Sequence, residues 1–199
     1  MRAKTSSTAK QRLRSVLRAE RRGFATAAQH AASAGLARIA ATLPELASAS
    51  VVAGYMANDG ELDLGPLLAE LVERRLVVLL PRRRADRTEL APWDGSPAGV
   101  AASGPGRTLE PTAPPIDVRR LPRPAVLLAP SVALDRAGNR LGRGGGDYDR
   151  LIASLPRSDW TIIGVCHAAH LLDRLPDEPH DQPVDVILTE TAAFRPGRS

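Results

Sequence analysis

The chain has 199 residues, of which 43% are hydrophobic and 25% are charged, fractions that are ordinary for a soluble protein with one core. No apolar run approaches the ~20 residues that span a bilayer, and the one cysteine excludes an internal disulfide framework and agrees with a reducing compartment. The net charge of +5 is local, since residues 1–24 hold eight of the 27 basic side chains and only one acidic one. We therefore expect one domain over residues 1–199, a cytoplasmic monomer with no membrane or nucleic-acid partner.

The chain begins with two predicted helices. Between residues 9 and 22, apolar side chains recur at helical spacing among basic ones, so Lys10 and Arg14 project from one face, one turn apart. The Arg- and Ser-rich start also resembles a mitochondrial transit peptide, which is the alternative use of this segment. A second, alanine-rich helix is expected over about 25–43, because Pro44 ends it.

The segments that follow alternate between strand and helix patterns. They are a strand at 50–56, a helix at 62–75 and a continuously apolar strand at 76–81. Residues 82–124 are rich in proline, glycine and charge, and we expect a long excursion with short edge strands around Leu90 and Leu109. Regular structure then returns, with strands predicted at 125–130, 160–166 and 184–190 and a helix at 148–156.

This alternation predicts the fold class. Continuous apolar strands are typical of sheets that are covered on both faces, and such sheets are built from parallel strands with helical crossovers. We therefore expect an α/β fold with three layers: a mostly parallel, Rossmann-like sheet with helices on both faces.

The most informative stretch is RLGRGGGDYDR, residues 140–150, which joins a predicted strand to a helix. Its glycines allow a phosphate to reach the backbone N–H groups, while Arg140 and Arg143 supply positive charge. The Walker pattern is excluded because no lysine follows a glycine, and the dinucleotide pattern fails because residue 147 is an aspartate. The alternative is a glycine-rich turn surrounded by solvated charges.

Two aspartates suggest a magnesium site beside this loop. Asp149 lies at the start of the predicted helix, where it either caps the helix or supplies a hard oxygen ligand. Asp185, at the entrance to the last strand, is expected to bring a second carboxylate to the same end of a parallel sheet. Taken with the loop, these residues predict a site for a nucleotide triphosphate and Mg²⁺.

The stretch LLAPSVALDRAGNRLGRGGGDYDRLIASLP resembles the signature of the 5-formyltetrahydrofolate cyclo-ligase (methenyltetrahydrofolate synthetase) family, which contains G-x-R-L-G-x-G-x-G-x-Y-D-R. Further motifs fall in the family's order: KQRLR, YMANDGELD, LPR, LEP and LPDEPHDQPVDVILTE. The resemblance implies an enzyme that uses ATP and Mg²⁺ to cyclise 5-formyltetrahydrofolate, a reduced folate, to 5,10-methenyltetrahydrofolate with release of ADP and phosphate. In that mechanism the formyl oxygen attacks the γ-phosphate, N10 closes onto the activated carbon, and phosphate leaves.

The resemblance also implies site residues. The ATP-binding set is Lys10, Arg14, Arg140, Leu141, Gly142, Arg143, Gly144, Gly145, Gly146, Asp147 and Tyr148, with Arg140 and Arg143 in catalytic roles. The folate-binding set is Met56, Glu61, Arg143, Gly144, Gly145 and Gly146, and the implied Mg²⁺ ligands are Asp149 and Asp185. Glu61 would accept hydrogen bonds from the pterin N–H groups.

The chain departs from the family pattern at Asp147, where a tyrosine is usual, and only 3% of its residues are aromatic. Asp147 is expected to bind the cation or to lie outside the pocket, and it leaves open a nucleotide-binding relative with altered or lost folate activity. A nucleic-acid-binding module is the other alternative, although few aromatics interleave the arginines. Arg82 is expected to face a phosphate, and Cys166, His167 and His170 offer three zinc ligands at most.

Overall fold

The computed structural model describes residues 2–24, 26–84, 87–104, 107–176, 178 and 181–197, with only the backbone described for 2–7. The helices are α1 (Arg2–Arg22), α2 (Thr26–Ala40), α3 (Pro44–Ser48), α4 (Gly65–Glu73) and α5 (Asp147–Ser154). The strands are β1 (Val51–Ala53), β2 (Val77–Arg83), β3 (Thr88–Pro92), β4 (Val100–Ser103), β5 (Thr108–Pro111), β6 (Ala125–Pro130), β7 (Ala133–Asp135), β8 (Arg140–Leu141), β9 (Trp160–Val165), β10 (Leu171–Leu172), β11 (Val186–Leu188) and β12 (Ala193–Phe194).

A seven-stranded sheet in the order β12-β11-β9-β6-β1-β2-β3 forms the centre of the molecule. Its five inner strands are parallel, and the two edge strands, β12 and β3, are antiparallel to their neighbours. After β1 the chain builds β2 on one side, then returns to place β6 on the other side of β1. In open α/β sheets such a reversal leaves a crevice at the carboxyl ends of the strands, where ligands bind.

Apolar side chains cover both faces of this sheet. On one face Leu36 and Leu68 of α2 and α4 pack in a cluster with strand residues such as Leu128. On the other face Ile152 of α5 belongs to a second cluster that includes Leu127. Each buried leucine or isoleucine stabilises the fold by about 1.5–3 kcal/mol relative to an exposed one. The prediction of a three-layer, mostly parallel α/β fold is confirmed.

A small sheet, β10-β7-β8, lies at the carboxyl end of the main sheet and supports α1. Leu17 of α1 packs there in a cluster with Leu141 of β8 and Leu175. This contact matters for the site, because β8 leads directly into the glycine loop. The basic first helix is therefore held beside that loop.

Some predicted strands were too long, whereas others agree with the structure. The first strand ends at Ala53, and the backbone of the next residue, Gly54, lies so close to Leu68 that an added Cβ would come within 2.8 Å of that side chain. The last parallel strand ends at Leu188, after which the Thr189 hydroxyl bonds within a turn to Ala192. Strands at Leu90 and Leu109 are confirmed as β3 and β5. Among the described residues, no helix has the length and apolarity to cross a bilayer.

Candidate active site

A cavity of about 350 Å³ opens at the carboxyl end of the sheet, at the reversal between β1 and β6. Its walls come from α1, the segment after β1, the β4–β5 hairpin and the glycine loop. The predicted site residues that line it are Lys10, Arg14, Met56, Glu61, Arg140, Gly142, Arg143, Gly144, Gly145, Gly146, Asp147, Tyr148 and Asp149. Residues from distant parts of the sequence therefore meet where the topology favours ligand binding.

Arg140 and Asp149 form a short ion pair in the cavity wall. The Nη2 of Arg140 lies 2.6 Å from Oδ1 of Asp149, and the arginine side chain is only 2% exposed. The guanidinium also lies 5.7 Å from the ring centroid of Tyr148, a cation–π distance. Its buried Nε has no hydrogen-bond partner among the described residues. Arg140 is therefore a fixed positive charge with an unused donor.

The glycine loop needs its glycines for two physical reasons. Gly144 and Gly146 adopt positive φ angles of 103° and 67°, which side chains strongly disfavour. A Cβ on Gly142 would lie 2.7 Å from Nη1 of Arg140, which cannot easily move away because it is buried. No described side chain caps the N-terminus of α5, which follows the loop. Unpaired N–H groups at a helix start attract anions such as phosphate.

Two of the basic residues of α1, Lys10 and Arg14, line the cavity in different ways. Arg14 donates from Nε to the carbonyl oxygen of Gly142 at 2.9 Å and so reaches the loop. Lys10 is buried, with Nζ 2.9 Å from Oε2 of Glu178 and 2.6 Å from Oδ2 of Asp181. The predicted projection of both residues from one helix face is confirmed, and the charge of Lys10 is compensated by two carboxylates.

Glu61 and Met56 line the opposite wall, with Glu61 only 7% exposed. The backbone N–H of Asn58 donates to Oε2 of Glu61 at 3.1 Å. Burial raises the pKa of Glu61, although Arg21 and Arg143 lower it in part. Burial also raises the pKa of Tyr148, whose buried hydroxyl has no partner among the described residues. Tyr148 therefore remains a protonated donor beside an acceptor wall.

Asp147 lines the cavity, and its carboxylate bridges two arginines. Oδ2 lies 2.7 Å from Nη2 of Arg83, and Oδ1 lies 2.9 Å from Nη2 of Arg150. Of the two alternatives for Asp147, the one that placed it outside the pocket is therefore wrong. Both arginines are more than half exposed, so this bridge lies at the cavity mouth.

The prediction that Asp185 joins Asp149 in a magnesium site is wrong. Asp185 accepts from Nη2 of Arg157 at 2.9 and 3.1 Å and from the N–H of Ile162 at 2.8 Å. It does not line the cavity. The physical reason is strand direction: the entrance to parallel β11 is its amino end, whereas the glycine loop lies at the carboxyl end of the sheet.

Two further sequence-based expectations need correction. Leu141 is 1% exposed and packs in the core under α1, so its side chain does not line the cavity. Arg82 donates to the carbonyl oxygens of Thr112 and Ala113, and its neighbour Arg83 faces the cavity instead. Adjacent strand residues point to opposite faces, which explains the second error.

Two of the three residues considered as zinc ligands, Cys166 and His167, have other surroundings. Nε2 of His167 lies 3.0 Å from the carbonyl oxygen of Gly60, and Cys166 is buried, which raises the pKa of its thiol to about 12. In the described part of the chain, no cluster of three or more histidine, cysteine or acidic side chains is arranged to hold a metal.

Sequence reasoning missed part of the cavity wall. The additional residues are Tyr55, Pro81, Arg83, Thr88, Thr108, Leu109, Glu110, Pro130, Glu178 and Asp181. The LEP, LPR and LPDEPHD motifs lie beside or within this set, so motif order pointed to the right segments without identifying the side chains. Only the structure shows which residues of each motif turn inward.

The cavity fits a magnesium ion held with a nucleotide. Mg²⁺ keeps several waters and usually takes one or two carboxylates together with substrate phosphates, so it needs no cage of protein ligands. The Asp149 carboxylate lies beside the anion-attracting loop and lines the cavity. It would supply the hard oxygen that this chemistry requires.

The fold and the site define a class: an α/β protein with a glycine-rich, arginine-flanked anion loop at the switch point of a parallel sheet. The sequence model of the 5-formyltetrahydrofolate cyclo-ligase family matches residues 6–190. The chain therefore belongs to the 5-formyltetrahydrofolate cyclo-ligase family, as its motifs predicted.

Relatives and solved structures agree with this assignment. The 5-formyltetrahydrofolate cyclo-ligase of Escherichia coli K12 is 32% identical over 154 residues, covering 77% of this chain and 85% of its own. That of Mycolicibacterium smegmatis is 32% identical over 145 residues, covering 71% and 74%. The NMR structure of Aquifex aeolicus 5,10-methenyltetrahydrofolate synthetase is similar, with a TM-score of 0.80, 30% identity and coverage of 96% and 95%. A Mycoplasma pneumoniae synthetase, at 19% identity, TM-score 0.70 and coverage of 91% and 98%, shares the fold.

Proposed function

We propose that this protein catalyses the ATP-dependent cyclisation of 5-formyltetrahydrofolate to 5,10-methenyltetrahydrofolate, with release of ADP and phosphate. One observation carries the proposal beyond family membership. A single cavity joins an anion-attracting loop, with Arg140 and Asp149, to a wall with the buried acceptor Glu61. These are the two recognition elements that a triphosphate and a pterin require.

The loop side of the cavity supports phosphoryl transfer to the formyl oxygen. An amide oxygen is a weak nucleophile, so the site must align it with the γ-phosphate and neutralise the charge that develops. Arg14, Arg140 and Arg143 line the same cavity as the loop glycines and supply that positive charge. Bound Mg²⁺ would add Lewis-acid neutralisation of the phosphate oxygens, held on the protein side by Asp149.

The opposite wall supports folate recognition. An ionised Glu61 accepts hydrogen bonds from the amino and ring N–H groups of a pterin, and Met56 offers an apolar surface beside it. The hydroxyl of Tyr148, protonated and without a partner among the described residues, is a donor for a ligand oxygen between the two walls. Ring closure then forms the bond from N10 to the formyl carbon, the N10 proton passes to water or to the departing phosphate, and the C–O bond breaks as phosphate leaves with its electron pair.

We further propose that the reaction takes place in the cytoplasm, in a monomer with one domain. One sheet carries both large apolar clusters, which supports a single domain. The chain's one cysteine, Cys166, is a buried free thiol, in keeping with a reducing compartment.

The test is turnover of the pure protein with 5-formyltetrahydrofolate, ATP and Mg²⁺, followed by the near-ultraviolet absorbance of the methenyl product. We expect turnover that stops when EDTA removes the metal. Asp149→Asn should lower kcat by about 100-fold or more, since its charge acts on phosphoryl transfer. Asp185→Asn is the matched control and should leave kcat near that of the wild type.

Two outcomes would contradict these assignments. If the protein binds nucleotide but forms no methenyl product, it is a family relative with changed activity. Asp147, which lies at the cavity mouth where the family usually has a tyrosine, is the feature of this chain that favours that alternative. Equal loss of kcat in the Asp149 and Asp185 variants would overturn the placement of the metal beside the loop.

A further inference from the structure

The turn Asn58–Glu61, which carries Glu61 into the cavity, has a conformation that needs outside support. Asp59 has a φ of 57° and Gly60 a φ of 75°, and an aspartate in this left-handed region is uncommon. Within the turn, the N–H of Asn58 donates to the Glu61 side chain, but this bond does not account for the left-handed backbone at Asp59. Contacts from other elements must hold it.

Arg21 of α1 supplies those contacts. Its side chain is 1% exposed, and Nε donates to the carbonyl oxygen of Asp59 at 2.7 Å. Nη2 lies 3.5 Å from Oδ2 of Asp59 and 3.9 Å from Oε1 of Glu61. One guanidinium thus contacts the backbone of the turn, its aspartate and the carboxylate that faces the cavity.

A second element holds the other side of the turn. Nε2 of His167, which follows β9, lies 3.0 Å from the carbonyl oxygen of Gly60. The backbone of Gly60 lies so close to α1 that an added Cβ would come within 2.9 Å of the carbonyl oxygen of Arg21. The turn is therefore fixed between α1 and the segment after β9, with Arg21 as its charged contact.

We propose that Arg21 is a positioning residue for folate recognition: it orients the Glu61 carboxylate and keeps it charged without itself touching the folate. This inference rests on the proposed function, because the folate is the ligand that Glu61 would recognise. Arg21 does not line the cavity, so its effect passes through Glu61. The same helix presents Lys10 and Arg14 to the loop, which links both walls of the cavity to α1.

The electrostatic surroundings of Glu61 give the proposal a specific sign. Burial raises the pKa of Glu61, Arg21 is the largest opposing influence, Arg143 also lowers it, and Asp59 raises it. The buried hydroxyls of Tyr55 and Tyr148 face the same carboxyl group. Loss of the Arg21 charge should therefore raise the pKa of Glu61 further and favour the protonated, uncharged carboxyl group.

Arg22 provides a matched control on the same helix. Its Nη1 lies 3.2 Å from Oδ1 of Asp59, so it shares a partner with Arg21, but its side chain is 57% exposed. Its described ion pair is with Asp59, whereas Arg21 also reaches Glu61. Arg22→Gln removes one charge near the turn while leaving the Glu61 contact intact.

The experiment compares Arg21→Gln, Arg21→Lys and Arg22→Gln in steady-state turnover. We expect Arg21→Gln to raise the folate KM by about tenfold with little change in kcat or in the ATP KM, as loss of a charged buried contact predicts. The acid limb of the kcat/KM profile for folate should move to higher pH. Arg21→Lys should restore most of the pH profile but only part of the KM, because it keeps the charge and loses the Nε bond.

The inference is overturned if Arg21→Gln keeps the wild-type folate KM and acid limb, or if Arg22→Gln changes them equally. A parallel fall in kcat and rise in both KM values would show general structural damage and also overturn it. If Arg21→Gln fails to fold, as judged by circular dichroism, Arg21→Lys takes its place. A wild-type folate KM in Arg21→Lys would then overturn the inference, because the lysine lacks the Nε bond to the turn.

A measurement that needs no turnover separates this inference from the proposed function. ¹³C NMR titration of the side-chain carboxyl groups, with Glu61→Gln used to assign the Glu61 signal, reports its pKa directly. In Arg21→Gln this pKa should rise relative to the wild type, whether or not the protein makes a methenyl product. An unchanged Glu61 pKa would refute the role of Arg21 even in an active enzyme.

Discussion

The two walls of the cavity differ in how far their polar groups are already paired within the protein. The loop wall, residues 140–149, exposes glycine backbone and leaves a donor of buried Arg140 without a partner among the described residues. The turn wall, residues 58–61, is half-buried, and its carboxylates are held by arginines of α1. Unused donors suit a charge that develops during reaction, whereas a satisfied, rigid acceptor suits recognition of a ligand's shape and hydrogen bonds. We therefore expect loss of the loop-wall groups that face the developing charge to lower kcat, and changes in the turn wall to raise the folate KM.

The difference is also visible in the contacts of Asp149 and Asp59. Asp149 has Arg140 as its ion-pair partner, at 2.6 Å. Asp59 accepts from Nε of Arg18 at 2.7 Å and pairs with Arg21 and Arg22 as well. Burial alone would raise the pKa of Asp59, but these three arginines hold it below its ordinary value. The turn wall is thus the more strongly stabilised of the two, and the loop wall retains groups for a ligand.

The largest effect is expected from Arg140→Ala, which removes the buried cation of the loop wall. We predict a fall in kcat of about 100- to 1000-fold, the usual cost of losing one donor aimed at developing charge. The folate KM should change little, because the turn wall remains intact. Arg157→Ala, which breaks an arginine–aspartate pair at the opposite end of the sheet, is the control. Similar losses of kcat in the two variants would remove the distinction between the walls.

Glu61→Gln tests the turn wall and should act on binding. We expect the folate KM to rise about 10- to 100-fold with a smaller change in kcat, because a neutral amide is a weaker acceptor for the pterin N–H groups. A protein that kept its folate KM would exclude Glu61 from pterin recognition.

The same variant should be more stable than the wild type at neutral pH. The pKa of Glu61 is raised in the folded protein, so the folded state binds more protons than the unfolded state, and stability falls as pH rises above the ordinary glutamate range. Glu61→Gln removes this loss. Its gain in Tm should therefore be present at pH 7 and disappear below about pH 4, where the carboxyl group is protonated in both states.

The sequence was most informative where structure depends on local chemistry. The loop glycines, Arg140 and Asp149 lie within ten residues of one another, and their composition predicts an anion site before any fold is known. The strands that position the loop were also predicted, because continuous apolar runs report a sheet that is covered on both faces. These features need no knowledge of distant contacts.

The failures depend on direction and on distance along the chain. Asp185 was assigned to the wrong end of the sheet because a residue that precedes a parallel strand lies at the amino end of the sheet, whereas the glycine loop lies at the carboxyl end. Arg82 was chosen over Arg83 because a shift of one residue reverses the face of a strand. The contact of Arg21 with Asp59 joins residues separated by 38 positions, and no local pattern encodes it.

The smallest effect on activity is expected at Asp147, which belongs to the loop wall but lies at the mouth of the cavity. Its carboxylate pairs with Arg83 and Arg150, which are 54% and 53% exposed, and exposed pairs stabilise a protein by about 1 kcal/mol or less. Asp147→Asn should therefore leave Tm almost unchanged. It should lower the ATP KM by about two- to fivefold, because it removes a negative charge near the triphosphate and releases Arg83. This gain should shrink between low and high salt, since the interaction is screened at the cavity mouth. A rise in the ATP KM would instead mean that the nucleotide depends on the Asp147 carboxylate, which would place a ligand of the metal at the mouth rather than at Asp149.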